Sequence, residues 1–220
     1  KPGPLEICFD YHFGVPANHG DISGVYVENH WVFGLDRNSP SSPSPPYIPI
    51  GQRKGRPVRT IELNAPKRID AEVMDTLTDK VVDWIGRQSA ETPFFVYFTP
   101  VAVHNPITPS RHTAGGSPGG PYCDFIHDLD RSVGRVLQEL DRQGLAENTL
   151  VLFTSDNGGV NKDNGETPQN AARQAGLNPV GPFRGGKHDA WEGGLRVPYV
   201  IRWPGHSPGR SACDENSGIV

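Results

Sequence analysis

Apolar residues recur at helical spacing along two stretches of this chain and run unbroken along two shorter ones. Val73, Leu77, Val81, Trp84 and Ile85 fall on one helical face, with Glu72, Asp75, Asp79 and Asp83 turned elsewhere. This predicts an amphipathic helix capped by Asp70 and stopped at Gly86. Phe125, Ile126, Leu129, Val133, Val136, Leu137 and Leu140 predict a second helix closing near Gly144. The continuous apolar runs Phe94 to Thr99 and Leu150 to Thr154 predict strands buried on both faces. A third strand is expected from Val197 to Trp203, after a glycine-rich segment from Gly181 to Gly194. Helix, strand, helix, strand in this order implies an α/β fold, mainly a parallel sheet with flanking helices and long loops. Both early strands should end on one edge, where open α/β sheets bind ligands, and Val101 to Asn105 and Ser155 to Gly158 fall there.

The rest of the chain is less periodic. Residues 5 to 35 mix aromatics with Gly, His and Asn and read as ordered irregular structure. From Ser39 to Pro66, seven prolines among 28 residues, with Arg53, Lys54, Arg56 and Arg59 between them, predict an extended surface excursion. There is no internal repeat. The chain starts at Lys1 without methionine and stops just after the polar run Asp214 to Gly218, so both ends read as cut and residues 1–220 as part of a larger domain.

Composition narrows the function classes. Lys+Arg 21 against Asp+Glu 25 leaves a net charge of −4, which argues against nucleic acid and an anionic membrane surface as partners. No apolar stretch approaches the roughly 20 residues that a spanning helix needs. Cys8, Cys123 and Cys213 are odd in number and widely spaced, so they predict neither a disulfide framework nor a zinc site, and their roles stay open.

Ser155-Asp156-Asn157-Gly158-Gly159 puts a carboxylate and a carboxamide oxygen directly after a strand. Hard cations take such oxygens, although the same residues also suit a tight turn. His104 lies five residues past the first strand, where it can give a proton to a leaving group or simply bond loop backbone. Gly181-Pro-Phe-Arg-Gly-Gly-Lys187 matches seven positions of a phosphate loop. His188 then stands where a Ser or Thr is required, no strand precedes Gly181, and the following glycines and Pro198 leave no room for a helix. What remains is a backbone made pliable by glycines, presenting Lys187 as a compact cation for a tetrahedral anion, or as a plain surface lysine. A zinc site from His104, His112, His127 and His188 lacks ligand-pair spacing.

Several strings together resemble the sulfatase family of the alkaline phosphatase-like fold. They are Asn148-Thr-Leu-Val-Leu-Phe-Thr-Ser-Asp-Asn-Gly-Gly159, Phe183-Arg-Gly-Gly-Lys187, Trp191-Glu-Gly-Gly-Leu-Arg-Val-Pro198 and Arg202-Trp-Pro-Gly205. Pro93 to Phe98, Val103-His-Asn-Pro106 and Asp128-Leu-Asp-Arg-Ser-Val-Gly134 extend the likeness, which is looser before residue 60. The resemblance implies a partial sulfatase catalytic domain hydrolysing a sulfate ester of a small molecule or glycan. It assigns Asp156 and Asn157 to a calcium ion, and it gives His104 and Lys187 to the sulfate, with His104 helping the alcohol depart. The family nucleophile is a formylglycine made within C/S-x-P-x-R, and none of the three cysteines stands in that motif. The nucleophile and the remaining calcium aspartates are therefore expected upstream of this chain, and the C-terminal part of the domain is expected beyond it. Glycine is expected where Cys8 stands. A phosphate or phosphonate ester hydrolase of the same superfamily and an inactive sulfatase-like binding module remain alternatives. The resemblance also suggests a periplasmic or secreted location; oligomeric state is not legible.

Overall fold

The computed structural model describes residues 3–16, 20, 23–36, 38, 65–161 and 165–213. Apart from Ala65 and Pro66, the predicted proline-rich excursion lies outside the described residues. The chain divides into two compact units, the first from Lys1–Asp83 and Val96–Arg135, the second from Trp84–Phe95 and Val136–Val220.

In the first unit, the irregular N-terminal stretch forms a small antiparallel meander of β1 (Phe13–Gly14), β2 (Val27–Glu28) and β3 (Trp31–Val32). Asn29 turns the chain between β2 and β3 at φ 54 and exchanges two bonds with His12. Its Oδ1 accepts the His12 N–H at 3.0 Å and its own N–H donates to the His12 carbonyl at 2.8 Å. Cys8, at φ 77, occupies the left-handed region that favours glycine, at the position where the resemblance expects one. The meander packs on α1 (Val73–Ile85). Tyr26, Val73 and Leu77 form a buried cluster with Phe13, Val15, Phe33, Phe98 and Val101 around it. The Lys80 ammonium lies 4.5 Å from the Phe13 ring centroid and 4.6 Å from that of Phe33, and bonds Glu28 at 3.0 Å.

The helix start differs from expectation. A 3-10 turn, Asp70–Glu72, precedes α1 with Ile69 at its N-cap and no side-chain cap, so Asp70 does not cap the helix. Its carboxylate turns toward Arg68, 3.9 Å from Nε, while Arg68 Nη1 donates to the Val25 carbonyl at 2.8 Å. The stop after Ile85, at Gly86, is as expected.

The second long helix, α2 (Pro121–Arg142), buries Phe125 and Leu140 but leaves Ile126 exposed. Its buried stripe is completed by Asp124, Asp128 and Ser132, polar residues that an apolar periodicity does not register. Asp128 accepts both the N–H and the hydroxyl of Ser110, each at 2.6 Å. Asp124 accepts the N–H groups of Gly115 (2.8 Å) and Ser117 (2.7 Å). These two carboxylates clamp residues 110–117 onto the helix. Thr78 Oγ1 of α1 meets Ser132 Oγ of α2 at 2.9 Å, and Arg131 and Arg135 of α2 pair with Asp75 and Asp79 of α1.

In the second unit, Trp84 packs edge-on to Phe94 at 5.8 Å, and Gln143 donates to the Gly86 carbonyl at 2.9 Å. β4 (Val151–Thr154) leads out to a loop, a short helix α3 (Pro168–Gln174), a single helical turn α4 (Glu192–Leu195) and β5 (Tyr199–Arg202). β5 runs antiparallel to β4, with Val151 opposite Arg202 and Thr154 opposite Tyr199. Thus β5 begins at the carboxyl end of β4, the arrangement that lets the Lys187 loop reach that edge.

Two strand expectations change. No parallel pairing occurs among the described residues. Phe94 to Thr99 is not a strand: no described segment pairs with it, so its backbone makes no ladder. Phe95 and Tyr97 stand 73% and 72% exposed, while Phe94, Val96 and Phe98 are half-buried. β4 has one neighbour instead of two layers over it, and Leu152 is 52% exposed. No helix of the described residues is long and apolar enough to cross a membrane.

Asp128→Asn replaces one of two acceptor oxygens with a donor facing Ser110, and should destabilise the protein by on the order of 2 kcal/mol, read as a lowered denaturation midpoint. Burial pushes His12 below its ordinary pKa of 6.5, so the fold favours the neutral ring. That contribution is complete above pH 6.5 and is lost as pH falls through the lower folded-state value. His12→Gln should remove this acid-side loss, seen by comparing midpoints of the two proteins on either side of that window.

Candidate active site

The site in the second unit begins where β4 ends. Thr154 is the last strand residue, and Ser155 starts a turn in which its hydroxyl donates to the Asn157 carbonyl at 3.0 Å. The backbone then runs into the glycine-rich segment. Gly158 N–H donates to the Gly194 carbonyl (2.9 Å), Lys187 N–H to the Gly159 carbonyl (2.8 Å) and Gly193 N–H to the Arg184 carbonyl (2.8 Å). Asn161 donates its side-chain amide to the Gly185 carbonyl at 3.0 Å. The Asp156 loop and the Lys187 loop are therefore stitched together backbone to backbone.

This packing explains the glycines differently from pliancy. A Cβ on Gly158 would overlap the Gly193 carbonyl, and one on Gly194 would overlap the Asp189 carbonyl. Gly158, Gly186, Gly193 and Gly194 are buried, so the segment is dense where it touches β4's loop. Gly185, at φ 79, makes the turn that only glycine adopts cheaply. Outside this weave the Arg184 guanidinium covers the Trp191 ring, 3.7 Å from its centroid.

The predicted side chains project from the weave with little engagement. Asp156 is exposed, and its carboxylate has no hydrogen bond or ion pair among the described residues. Asn157 donates Nδ2 to the Gly158 carbonyl at 3.0 Å, which leaves its Oδ1 free as an acceptor. Lys187 is half-buried, fixed through its backbone, with its ammonium unpaired among the described residues. His104 belongs to the first unit and is exposed. Its Nδ1 lies 2.8 Å from the Asn105 carbonyl, which only accepts, so Nδ1 carries the proton and Nε2 is the free nitrogen. The structure thus brings Asp156, Asn157 and Lys187 onto joined loops of one unit.

The donor set at Asp156 and Asn157 fits a hard cation, because a free carboxylate and a free carboxamide oxygen are the ligand types such ions take. By type alone they would supply part of a shell. Among the described residues no group of three or more His, Cys, Asp or Glu is placed to hold a metal, and Cys8, Cys123 and Cys213 are all free thiols.

A family model described as Sulfatase matches residues 26–217. The chain belongs to the sulfatase family. It is 35% identical to an N-acetylgalactosamine-6-O-sulfatase of Bacteroides thetaiotaomicron over 229 residues, covering 92% of this chain and 44% of that protein. It is 34% identical to the N-acetylgalactosamine-6-sulfatase of Homo sapiens, covering 92% of this chain and 34% of the relative. A solved structure from the metabolism of multiple glycosaminoglycans by Bacteroides thetaiotaomicron superposes with a TM-score of 0.75 at 33% identity, over 93% of this chain and 47% of that one. The expected partial sulfatase fold of the alkaline phosphatase-like class is therefore correct, and the chain spans less than half the length of these relatives. Sulfatases as a family carry a metal cofactor.

Sequence reasoning passed over α3, although Thr167-Pro168 signalled it. Thr167 accepts the Asn170 N–H at 3.2 Å as N-cap, and Pro168 occupies the first helical position. It also read the glycines as looseness, since close approach of two backbones leaves no mark on a single segment.

Gly194→Ala should lower the denaturation midpoint markedly, because the Asp189 carbonyl cannot retreat without breaking the weave. Gly134→Ala, in α2 with open space around it, should raise stability by roughly 1 kcal/mol. Opposite signs in parallel melts check the distinction between a packing glycine and a merely helical one.

Proposed function

We propose that the intact protein is a calcium-dependent sulfatase acting on a sulfated glycan, with Asp156, Asn157, Lys187 and His104 as its working residues. The observation that carries this reading is the joined loop pair. Lys187 N–H bonded to the Gly159 carbonyl keeps an unpaired ammonium on the same backbone weave as two free oxygen ligands. An anion held there would meet a cation carried on an anchored backbone, and such a cation offsets charge developing during ester cleavage.

Each residue has a distinct task. Lys187 binds sulfate oxygens and offsets their negative charge. Asp156 and Asn157 would hold the cation through oxygen, Ca²⁺ being the ion that suits such ligands. When bound, the metal supplies Lewis-acid polarisation of a sulfate oxygen. His104, its Nδ1–H engaged by the Asn105 carbonyl, takes up a proton at Nε2 and delivers it to the departing alcohol oxygen. The attacking group comes from beyond these 220 residues, and none of the three cysteines is given that role. The sulfated amino sugar is proposed from the names of the relatives, which are N-acetylgalactosamine-6-sulfatases. A periplasmic or secreted location fits a polymeric glycan substrate.

The test uses the full-length protein with aryl sulfate, aryl phosphate and sulfated sugar substrates in parallel. Lys187→Ala should lower sulfatase turnover by about 10²-fold or more. His104→Ala should cost most with a sugar sulfate and least with nitrophenyl sulfate, whose leaving group needs no proton. Chelation should abolish turnover and Ca²⁺ should restore it, with Asp156→Ala raising the Ca²⁺ needed. Unchanged turnover in both Lys187 and His104 variants, or faster hydrolysis of the phosphate, would overturn the assignment.

A further inference from the structure

Beside the Lys187 loop lies a cavity of about 490 Å³ whose walls include Asn161, Arg173, Leu177, Asn178 and Phe183. All of these residues belong to the second unit. The volume suits one to two sugar rings. Arg173 stands in the last turn of α3, where a cation complements the helix dipole. The residue is exposed and its guanidinium has no hydrogen bond or ion pair among the described residues, so its donors face solvent and are open to a ligand. The Asn178 side chain is spent on its own turn, accepting the Val180 N–H at 3.3 Å and donating to the Gly181 carbonyl. Asn161 donates to the Gly185 carbonyl and keeps Oδ1 free. Phe183, half-buried with the Arg196 guanidinium 4.6 Å from its ring centroid, supplies an aromatic surface.

The cavity therefore combines one free cation, one free carboxamide acceptor and apolar faces from Phe183 and Leu177. That is the chemistry of a sugar ring bearing an acidic group. It is also tied to the reaction site: Asn161 lies two residues past Gly159, the acceptor of Lys187 N–H, and bonds Gly185, two residues before Lys187. A ligand in the cavity would contact the wall that positions Lys187.

We infer that this cavity is a specificity subsite in which Arg173 pairs with the carboxylate of a uronate sugar adjacent to the sulfated one. The inference rests on the sulfatase reading proposed above. Guanidinium matches carboxylate in a planar, two-point fork, which an unpaired arginine at a pocket wall is free to form.

The experiment compares full-length wild type with Arg173→Ala and Arg173→Lys on three substrates. These are an aryl sulfate, a uronate-containing sulfated disaccharide, and the same disaccharide with its carboxyl reduced to an alcohol. For Arg173→Ala, the kcat/KM ratio of uronate disaccharide to aryl sulfate should fall about tenfold, mainly through KM, with Arg173→Lys between. The reduced disaccharide should show no dependence on residue 173. An equal loss on all three substrates, or no change in the ratio, overturns the subsite. A loss that persists with the reduced disaccharide shows that Arg173 acts on a group other than the carboxylate and overturns the uronate. Calorimetric binding of the desulfated disaccharide separates the two readings. Arg173-dependent binding without any sulfatase turnover would leave the subsite standing and remove the catalytic assignment, whereas turnover without such binding would do the reverse.

Discussion

The constraint on which the second unit depends is the contact of glycine against carbonyl between the loop after β4 and the segment that carries Lys187. At Gly158 and Gly186 the two loops are too close for any side chain, and at Gly193 and Gly194 the Lys187 segment meets its own carbonyls just as closely. Two consequences follow physically. The inter-loop hydrogen bonds, 2.8 to 3.0 Å long, join the two loops directly, backbone to backbone and through Asn161. The candidate side chains project away from these contacts, where nothing larger than hydrogen fits. Asp156 and Lys187 need no partner to hold them, since their backbones are already fixed. A carboxylate and an ammonium on neighbouring loops would normally be drawn into an ion pair with each other or with a nearby residue. Here each stays free for an external charge.

The first unit is held by a different device. Asp124 and Asp128 are carboxylates buried on an amphipathic helix, and each accepts two donors from residues 110–117. Burying a carboxylate is costly unless its oxygens are filled, and four donors from one loop fill both. The loop gains a definite path that its own Gly- and Pro-rich sequence does not dictate. Lys80, over two aromatic rings and bonded to Glu28, ties the meander to α1 in a similar way.

The parts of this structure legible in the sequence are those whose signal is local. Val73 to Ile85, Phe125 to Leu140 and Leu150 to Thr154 announce their elements by periodicity or by unbroken apolar character, and all three are present. Phe94 to Thr99 carries the same signal as β4 but lacks a paired strand among the described residues. A strand needs a neighbour, and apolar content alone does not supply one. The polar half of the α2 stripe was invisible because Asp128 looks like any solvated helix residue until Ser110 is brought to it. The candidate residues were picked by type, from the chemistry of Asp-Asn after a strand and Lys after paired glycines, and the structure places Asp156, Asn157 and Lys187 on joined loops. That Asp156 and Lys187 sit on joined loops depended on β5 being antiparallel, a property of pairing that no single segment encodes.

The weave is anchored at two places along the chain, near Gly158–Gly159 and from Gly185 to Gly194, and residues 160 to 184 form a loop between them. Both ends of that loop are pinned, so its length and content can change without moving either anchor. Closing a longer loop costs only a slowly growing entropy. The cavity wall with Arg173 and Phe183 lies within this span, whereas Asp156, Asn157 and Lys187 lie just outside its borders. On the proposed reading, a change of recognition wall would leave the proposed hydrolytic residues where they are, so that a new glycan preference calls for a grafted loop and not a rebuilt enzyme.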